Sequence, residues 1–258
     1  LKSGHPNLLD EKQGFISSLK ANGYYVFENK MSDNILYALR ESLGKMPLEY
    51  FDFGMNKSLP VQNVDNVKSN KLYRSKHLLV NNKEVLDWAL SKEIVLLAQE
   101  YLGTKPICDL LASWISLPTK DLKMISKAAQ NFHFDMDRIK FIKFFVYLTD
   151  VSENNGPHCY IKGSHRKLPN KLKKDGRFTD YEVLSYYGND SSVKFQGQAG
   201  SIIAVDTRGF HKGMPLINGK RDILQVEFSN SLYGHNYEKS EIQLDCLNTT
   251  ELELLFNF

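Results

Sequence analysis

The sequence contains a histidine and an aspartate separated by one residue, in the stretch His133-Phe134-Asp135. In an extended segment, residues i and i+2 project to the same side, so this imidazole and this carboxylate can be directed at one point. A second histidine on a facing strand would complete a set of two histidines and one carboxylate. Such a set leaves three positions of a non-haem iron(II) ion open for an organic cosubstrate and O₂. The pair therefore predicts a metal site whose third ligand lies elsewhere in the chain.

Four histidines downstream of this pair are candidates for the third ligand: His158, His165, His211 and His235. His211 lies between two strand-like runs, and Arg221 follows it by ten residues at a predicted strand start. An arginine in that place can form a bidentate pair with a carboxylate. The other three histidines lack such a partner at a comparable offset, and this difference favours His211.

The composition is that of an ordinary globular protein. The 258 residues are 42% hydrophobic and 24% charged, and a single domain over 1–258 is expected because mainly β domains often reach this length. A net charge of +3 is too small to indicate a nucleic-acid partner. No apolar run is long enough for a membrane span. The three cysteines, Cys108, Cys159 and Cys246, are widely spaced, which favours a reducing compartment and a cytoplasmic location.

The secondary structure that must position these residues changes in character near residue 130. Residues 1–129 are predicted to be largely helical and to support the rest. Residues 130–234 contain short β-branched and aromatic runs separated by turn residues, which predict strands. The predicted helices cover 9–21, 33–43, 84–90 and 92–102, and the predicted strands cover 24–27, 141–148, 159–161, 192–195, 201–205 and 223–228. The predicted architecture is therefore a set of helices followed by an antiparallel barrel or sandwich. The tail over 235–258 is expected to be partly helical and to pack on the barrel or on a partner.

The sequence resembles the phytanoyl-CoA dioxygenase (PhyH) family of iron(II)- and 2-oxoglutarate-dependent oxygenases. The resemblance runs from about Gly23 to Gly234 and is densest in three blocks: 130–135 with 147–151, 155–166 with its Gly-Ser-His-Arg motif, and 200–228. In that family the His-x-Asp pair and a distal histidine bind iron, and an arginine shortly after that histidine holds the far carboxylate of 2-oxoglutarate.

The resemblance places the family's roles on particular residues of this chain. Iron(II) would be held by His133, Asp135 and His211, and 2-oxoglutarate by Arg221. Gln130 would be a cavity-facing, cofactor-binding residue or a polar residue at a strand start. The histidine of the Gly-Ser-His-Arg motif, His165, would be part of the framework.

The resemblance also implies a fold and an activity. The fold would be mainly β with α, a double-stranded β-helix (jelly roll, cupin-like) with the N-terminal helices packed outside. The activity would be that of a dioxygenase using Fe(II), 2-oxoglutarate and O₂, which hydroxylates an unactivated C–H bond of a small molecule and releases succinate and CO₂. Related halogenases have a small residue where Asp135 stands, so hydroxylation, desaturation or ring closure is expected instead of halogenation. The alternatives are a non-catalytic jelly-roll binding module that keeps its metal, against which Arg221 argues, and a cupin-like enzyme that uses another metal without 2-oxoglutarate.

A strongly basic segment follows the Gly-Ser-His motif. Residues 166–177 carry six positive charges and one negative charge. Such a run is commonly a solvated loop. The alternative is a mobile lid over the mouth of the barrel that attracts an anionic substrate. His158 is a weaker candidate for a substrate contact, and Trp88 and Trp114 are expected to be packing residues.

Overall fold

The computed structural model describes residues 7–52, 54–63, 67, 69–121, 130–136 and 138–233. The α-helices within them are α1 (Lys12–Asn22), α2 (Asp33–Gly44), α3 (Lys76–Leu79), α4 (Lys83–Ala89), α5 (Lys92–Leu102) and α6 (Asp180–Tyr187). Short 3₁₀ helices cover Leu8–Glu11, Glu153–Asn155, Asn170–Leu172 and Asn189–Ser191. No helix in the described part of the chain is both long enough and apolar enough to cross a membrane.

The predicted N-terminal helices are confirmed, with ends that follow from local capping. The side chain of Asn82 accepts a hydrogen bond from the backbone N–H of Val85 at 3.0 Å and so caps the start of α4. Helix α5 ends at Gly103, which has a φ of 77°. Helix α1 ends at Gly23, with a φ of 88°, where a side chain would collide with the hydroxyl of Tyr160. Glycine is therefore required at position 23 by both backbone conformation and space.

Eleven strands of the described residues form two antiparallel sheets. They are β1 (Tyr24–Val26), β2 (Leu48–Asp52), β3 (Lys57–Pro60), β4 (Lys71–Arg74), β5 (Ile107–Ser116), β6 (Phe141–Tyr147), β7 (His158–Ile161), β8 (Ser192–Phe195), β9 (Ile202–Val205), β10 (His211–Gly213) and β11 (Arg221–Ser229). The large sheet has the order β1-β9-β6-β11-β5-β4-β2-β3, and the small sheet has the order β10-β7-β8.

The large sheet is covered on both faces, which explains the nearly continuous apolar run of β6. Phe144 and Val146 pack with the helices, in a cluster that also contains residues of α1, α2, α4 and α5. Phe145 and Tyr147 point the other way and pack against residues of the small sheet. Successive strand residues face opposite sides, so a strand buried on both faces needs apolar residues at every position.

One expectation about this architecture needs correction. Residues 1–129 are not largely helical, because β2, β3, β4 and β5 supply half of the large sheet. Strand β5 was missed because its sequence, ICDLLASWIS, shows no strict alternation of apolar and polar residues. Strand β11 does alternate, but Gln225 and Glu227 are as buried as their apolar neighbours. The predicted tail, with Cys246, lies outside the described residues.

Candidate metal centre and the adjoining cavity

His133 and His211 are brought together by a short antiparallel bridge. The backbone N–H of His133 donates to the carbonyl of His211 at 3.0 Å, and that of His211 donates to the carbonyl of His133 at 2.8 Å. The two imidazole centroids are 4.2 Å apart. Asp135 completes the set, with one carboxylate oxygen 3.8 Å from Nε2 of His133 and the other 3.6 Å from Nε2 of His211. One donor atom from each residue lies within 4.8 Å of the other two, so the structure brings the three predicted ligands together.

The backbone also orients both imidazoles. Nδ1 of His133 lies 3.0 Å from the carbonyl oxygen of Asn131, and Nδ1 of His211 lies 3.0 Å from that of Gly209. When each Nδ1–H donates to its carbonyl, Nε2 keeps a lone pair directed at the common point, as metal-binding histidines require.

All three groups are in the protonation state that binds a metal. Burial, together with the proximity of His211, lowers the pKa of His133 well below its usual value. Burial likewise lowers the pKa of His211. Burial opposes ionisation of Asp135, but Lys143 and the two histidines outweigh it and hold the pKa of that carboxyl well below its usual range. Two neutral imidazoles and one carboxylate are the donor set that non-haem iron(II) binds.

Lys143 on β6 contacts the metal-ligand candidate Asp135. Its Nζ lies 2.7 Å from Oδ2 of Asp135 and 3.1 Å from Oε2 of Glu227 on β11. All three side chains are largely buried, and the β6–β11 register places Lys143 directly opposite Glu227. An ammonium group between two carboxylates fixes the orientation of Asp135. Lys143 is therefore occupied by Asp135 and Glu227, and the nearby cation Arg208 pairs with Asp206.

A cavity of about 190 Å³ opens next to the three metal-ligand candidates. It is lined by Lys71, Trp114, His133, Asp135, Lys143, Phe145, His158, His211, Gly213, Arg221, Ile223 and Gln225. Polar groups and aromatic or aliphatic side chains therefore share its wall, as in sites that bind small organic ions.

Arg221 lies in the wall of this cavity and is 4% exposed. Its Nη2 donates to the hydroxyl of Ser116 at 3.3 Å, while its Nε and Nη1 have no hydrogen-bond partner within the described residues. Burial lowers its pKa to about 10, so it remains cationic at neutral pH. A side chain at Gly213 would lie 2.6 Å from its Nη2, so glycine leaves room for the guanidinium. A buried cation with unsatisfied donors is a site for a carboxylate.

Lys71 and Trp114 are two further cavity residues, and neither was predicted to contribute to the site. Register places Lys71 opposite Ser116 on β5 and Ser116 opposite Arg221 on β11, so the two cations lie in one row across three strands. Nζ of Lys71 lies 4.2 Å from the centre of the Trp114 ring. Burial, and next the charge of Arg221, lower the pKa of Lys71 to about 7. Trp114 is therefore a cavity residue, whereas Trp88 is a core residue as expected.

His158 on β7 is also a cavity residue. It lies opposite Gly213 in the β7–β10 pairing, and its ring is stacked parallel to that of His211, with centroids 5.5 Å apart. Its Nε2 is buried without a hydrogen-bond partner in the described part of the chain. Burial, together with the proximity of His211 and the charge of Arg221, lowers its pKa well below the usual value, so the ring is neutral. From the sequence, His158 was only a weak candidate for a substrate contact, because no motif marks it.

The family model for phytanoyl-CoA dioxygenase (PhyH) matches residues 19–221, which is most of the chain and includes the three metal-ligand candidates and Arg221. The chain belongs to the PhyH family. The comparison with curated protein sequences finds no match.

Solved structures share the fold of this PhyH protein. HygX from Streptomyces hygroscopicus, solved with nickel and 2-oxoglutarate bound, is 13% identical, with 90% of this chain and 98% of HygX covered and a TM-score of 0.59. SnoK, a non-haem α-ketoglutarate-dependent carbocyclase from nogalamycin biosynthesis, is 18% identical, with coverages of 88% and 87% and a TM-score of 0.62. EctD from S. alaskensis, solved with 2-oxoglutarate and 5-hydroxyectoine, is 16% identical, with coverages of 89% and 78% and a TM-score of 0.57. These similarities confirm the predicted jelly-roll fold.

Two of the remaining candidates of the sequence, Gln130 and His165, lie outside the cavity. Gln130 is buried, but its amide oxygen accepts a hydrogen bond from Asn70 at 3.0 Å, and it is not among the residues that line the cavity. The cofactor-binding role expected for it is therefore not supported by its position. In the Gly-Ser-His-Arg motif of this PhyH chain, the hydroxyl of Ser164 accepts from the backbone N–H of Phe210 at 2.7 Å. This motif thus supports the segment that leads into His211, which agrees with a framework role. His235 lies outside the described residues.

Proposed function

We propose that this PhyH protein is a dioxygenase that uses Fe(II), 2-oxoglutarate and O₂ to hydroxylate an unactivated C–H bond of a small molecule. The observation that carries the proposal is the buried, unsatisfied guanidinium of Arg221 in the wall of the cavity that begins at the His133, Asp135 and His211 side chains. A purely structural metal would not require an arginine in that place, which argues against a non-catalytic binding module.

The donor chemistry of the three ligand candidates fits iron(II). His133, Asp135 and His211 would hold the ion through two Nε2 atoms and one carboxylate oxygen, and Lys143 would hold the second oxygen of Asp135. Iron, when bound, supplies the activation of O₂ and the oxidising power that is needed to attack a C–H bond. The protein supplies the positions of the reacting groups.

The cavity cations fit 2-oxoglutarate. Arg221 would hold the carboxylate farther from the metal through its fork of N–H donors, and Lys71 would add a second positive charge in the same row. Nε2 of His158 is a further buried donor or acceptor on this wall. Trp114, Phe145 and Ile223 would exclude water from the carbon chain of the oxoacid.

In the overall reaction, the oxoacid loses CO₂ and becomes succinate. One oxygen atom of O₂ enters succinate, and the other enters the substrate as a hydroxyl group. SnoN, which is described as an α-ketoglutarate-dependent epimerase, and SnoK, described as a carbocyclase, share the fold. The fold therefore does not select hydroxylation, and Asp135 argues only against halogenation. Hydroxylation of a small molecule is the reaction that we propose. The buried cysteines Cys108 and Cys159 are not in disulfide bonds, which supports the proposal of a cytoplasmic location.

The direct test is a screen of metabolites with purified protein, Fe(II), 2-oxoglutarate and O₂, in which succinate release and substrate mass are measured together. We expect succinate release that depends on all three additions, and a product that gains one oxygen atom. A product that loses two hydrogen atoms would indicate desaturation or ring closure, and an unchanged mass would indicate epimerisation. Absence of oxoacid-dependent succinate release, with metal bound, would favour the binding module.

A further inference from the structure

The basic segment over 166–177 does not form a separate loop, because it is attached to the body of the protein at two points. Leu172, in the 3₁₀ helix Asn170–Leu172, is buried in a cluster with Phe132, Phe178 and Phe210. At its end, the backbone N–H of Phe178 donates to the carbonyl of Phe132 at 2.8 Å. The segment is thus anchored by Leu172 and by Phe178, which follows it, and its end lies beside Phe132, the chain neighbour of His133.

The register of this attachment determines which of the basic residues faces the metal. Phe132 and Phe178 form an antiparallel bridge, so the next pair in register is His133 with Arg177. On its other side, His133 is bridged to His211. Residues directly opposite each other in antiparallel pairing project to the same face, with Cβ atoms about 5 Å apart. Arg177, His133 and His211 therefore form one row on the face where the metal ligands converge.

The packing of the neighbouring phenylalanines agrees with this alternation. Phe132, Phe178 and Phe210, each one position away from a member of the row, are buried together on the opposite face. Arg177 is also close enough to the site to act on it electrostatically. Its charge contributes to lowering the pKa of His133, of His211 and of Lys71.

Three other basic residues of the segment lie outside this row. Lys173 and Lys174 line a second groove together with Leu168 and Arg208, and this groove also reaches Asp135. Nζ of Lys174 lies 5.7 Å from the centre of the Phe178 ring. Lys171 is exposed. Arg177 is thus distinguished from them by its place in the row.

We propose that Arg177 binds a carboxylate or phosphate group of the primary substrate at the mouth of the metal site, so that the substrate of this enzyme is an anion. This inference rests on the proposed oxygenase function and adds the substrate class. Arg177 is exposed and forms no ion pair with a carboxylate in the described part of the chain.

The charge balance around the metal supports an anionic substrate. Among the described residues, Asp135 and Glu227 are the carboxylates placed at the centre, and both contact Lys143. The positive charges are those of Lys143, Arg177 and Arg221, and Lys71 is partly protonated at neutral pH. Loading the site with a divalent metal and dianionic 2-oxoglutarate leaves this balance unchanged. A net positive charge therefore remains at the mouth, and a substrate anion would compensate it.

The test uses hexanoate as the anionic probe and hexanamide as its neutral counterpart. The protein is loaded with Mn(II) and saturating 2-oxoglutarate without O₂, and binding near the metal is measured from the paramagnetic relaxation of the probe protons. We expect hexanoate to bind roughly tenfold more tightly than hexanamide, the advantage of one charge-assisted contact at a partly exposed site. The advantage should be lost in Arg177→Gln and retained in Lys171→Gln, the matched exposed control from the same segment.

Equal relaxation of the two probes by the parent protein would overturn the inference, and so would a hexanoate preference that persists in Arg177→Gln. The binding of 2-oxoglutarate to the parent is measured in the same preparation. If the oxoacid does not bind, the proposed function fails whatever the probes do. If it binds while the two probes behave alike, only the assignment of Arg177 fails.

Discussion

Replacement of Arg221 by methionine should stabilise the protein without ligands and weaken its binding of 2-oxoglutarate. Burial lowers the pKa of Arg221 from 12.5 to about 10, and a tenfold change in proton affinity corresponds to about 1.4 kcal/mol. Burial therefore costs the charged side chain on the order of 3 kcal/mol in the folded state. Since the folded-state pKa is lower than the unfolded one, this cost is fully present at neutral pH and declines only as the pH rises from about 10 towards 12.5.

Methionine has a similar length and no charge. Arg221→Met should therefore raise the free energy of unfolding of the metal-free and oxoacid-free protein by about 1–3 kcal/mol. For a chain of this size, each kcal/mol corresponds to a rise in Tm of about 2–4 °C. The same change removes the donors for the oxoacid carboxylate. Their loss should reduce the binding free energy of 2-oxoglutarate by about 2–3 kcal/mol, which raises its Kd roughly 30–150-fold. Thermal unfolding at pH 7 measures the first effect, and calorimetric titration of the Ni(II)-loaded protein measures the second.

Arg74 provides the matched control, because it is an equally buried arginine that has a carboxylate partner. Two of its nitrogens lie 2.8 Å from the two carboxylate oxygens of Asp222. Arg74→Met leaves that carboxylate uncompensated and should destabilise the protein by about 3–5 kcal/mol. Opposite signs for the two substitutions are expected. If Arg221→Met lowers the Tm as Arg74→Met does, or if it binds 2-oxoglutarate as tightly as the parent, the role given to Arg221 is wrong.

Three further predictions concern the same cavity. Alanine at His133, Asp135 or His211 should each abolish stoichiometric Fe(II) binding in equilibrium dialysis while far-UV circular dichroism is retained; full iron binding would remove that residue from the site. Gly213→Ala places a methyl group against the guanidinium of Arg221 and should raise the Kd for 2-oxoglutarate by about tenfold with little change in Tm; an unchanged Kd would show that the arginine relocates freely. Because the pKa of Lys71 is about 7, oxoacid affinity should fall severalfold between pH 6 and pH 8, and Lys71→Gln should remove that pH dependence; persistence of the dependence would assign it to another group.

The metal-ligand candidates and Arg221 could be predicted because each belongs to a motif whose residues are close together in the sequence. His133 and Asp135 are two residues apart, and Arg221 follows His211 at a fixed offset, so spacing and the family resemblance together identify them. The rest of the cavity has no such signal. Lys71 and Trp114 come from β4 and β5, which reach the site through the order of strands in the large sheet. That order is determined by long-range pairing and not by any local pattern.

Some elements were missed for other reasons. Strand β5 is partly buried along both faces, so its sequence lacks the alternation that identifies a half-exposed strand. Helix α6 had a local signal: Thr179 and Glu182 form a capping box, the spacing that marks a helix start. The row formed by Arg177, His133 and His211 depends on two isolated bridges, which pair segments distant in the chain and leave no periodicity to detect.

The central claim is that His133, Asp135 and His211 hold iron and that Arg221 holds the oxoacid. Crystals prepared without O₂ in the presence of Fe(II) and 2-oxoglutarate test it most directly, with diffraction data recorded on both sides of the iron absorption edge. The account predicts one anomalous iron peak bonded to the three side chains, with 2-oxoglutarate on the metal and its far carboxylate paired with Arg221. An iron peak elsewhere, or an oxoacid whose far carboxylate does not contact Arg221, would contradict it.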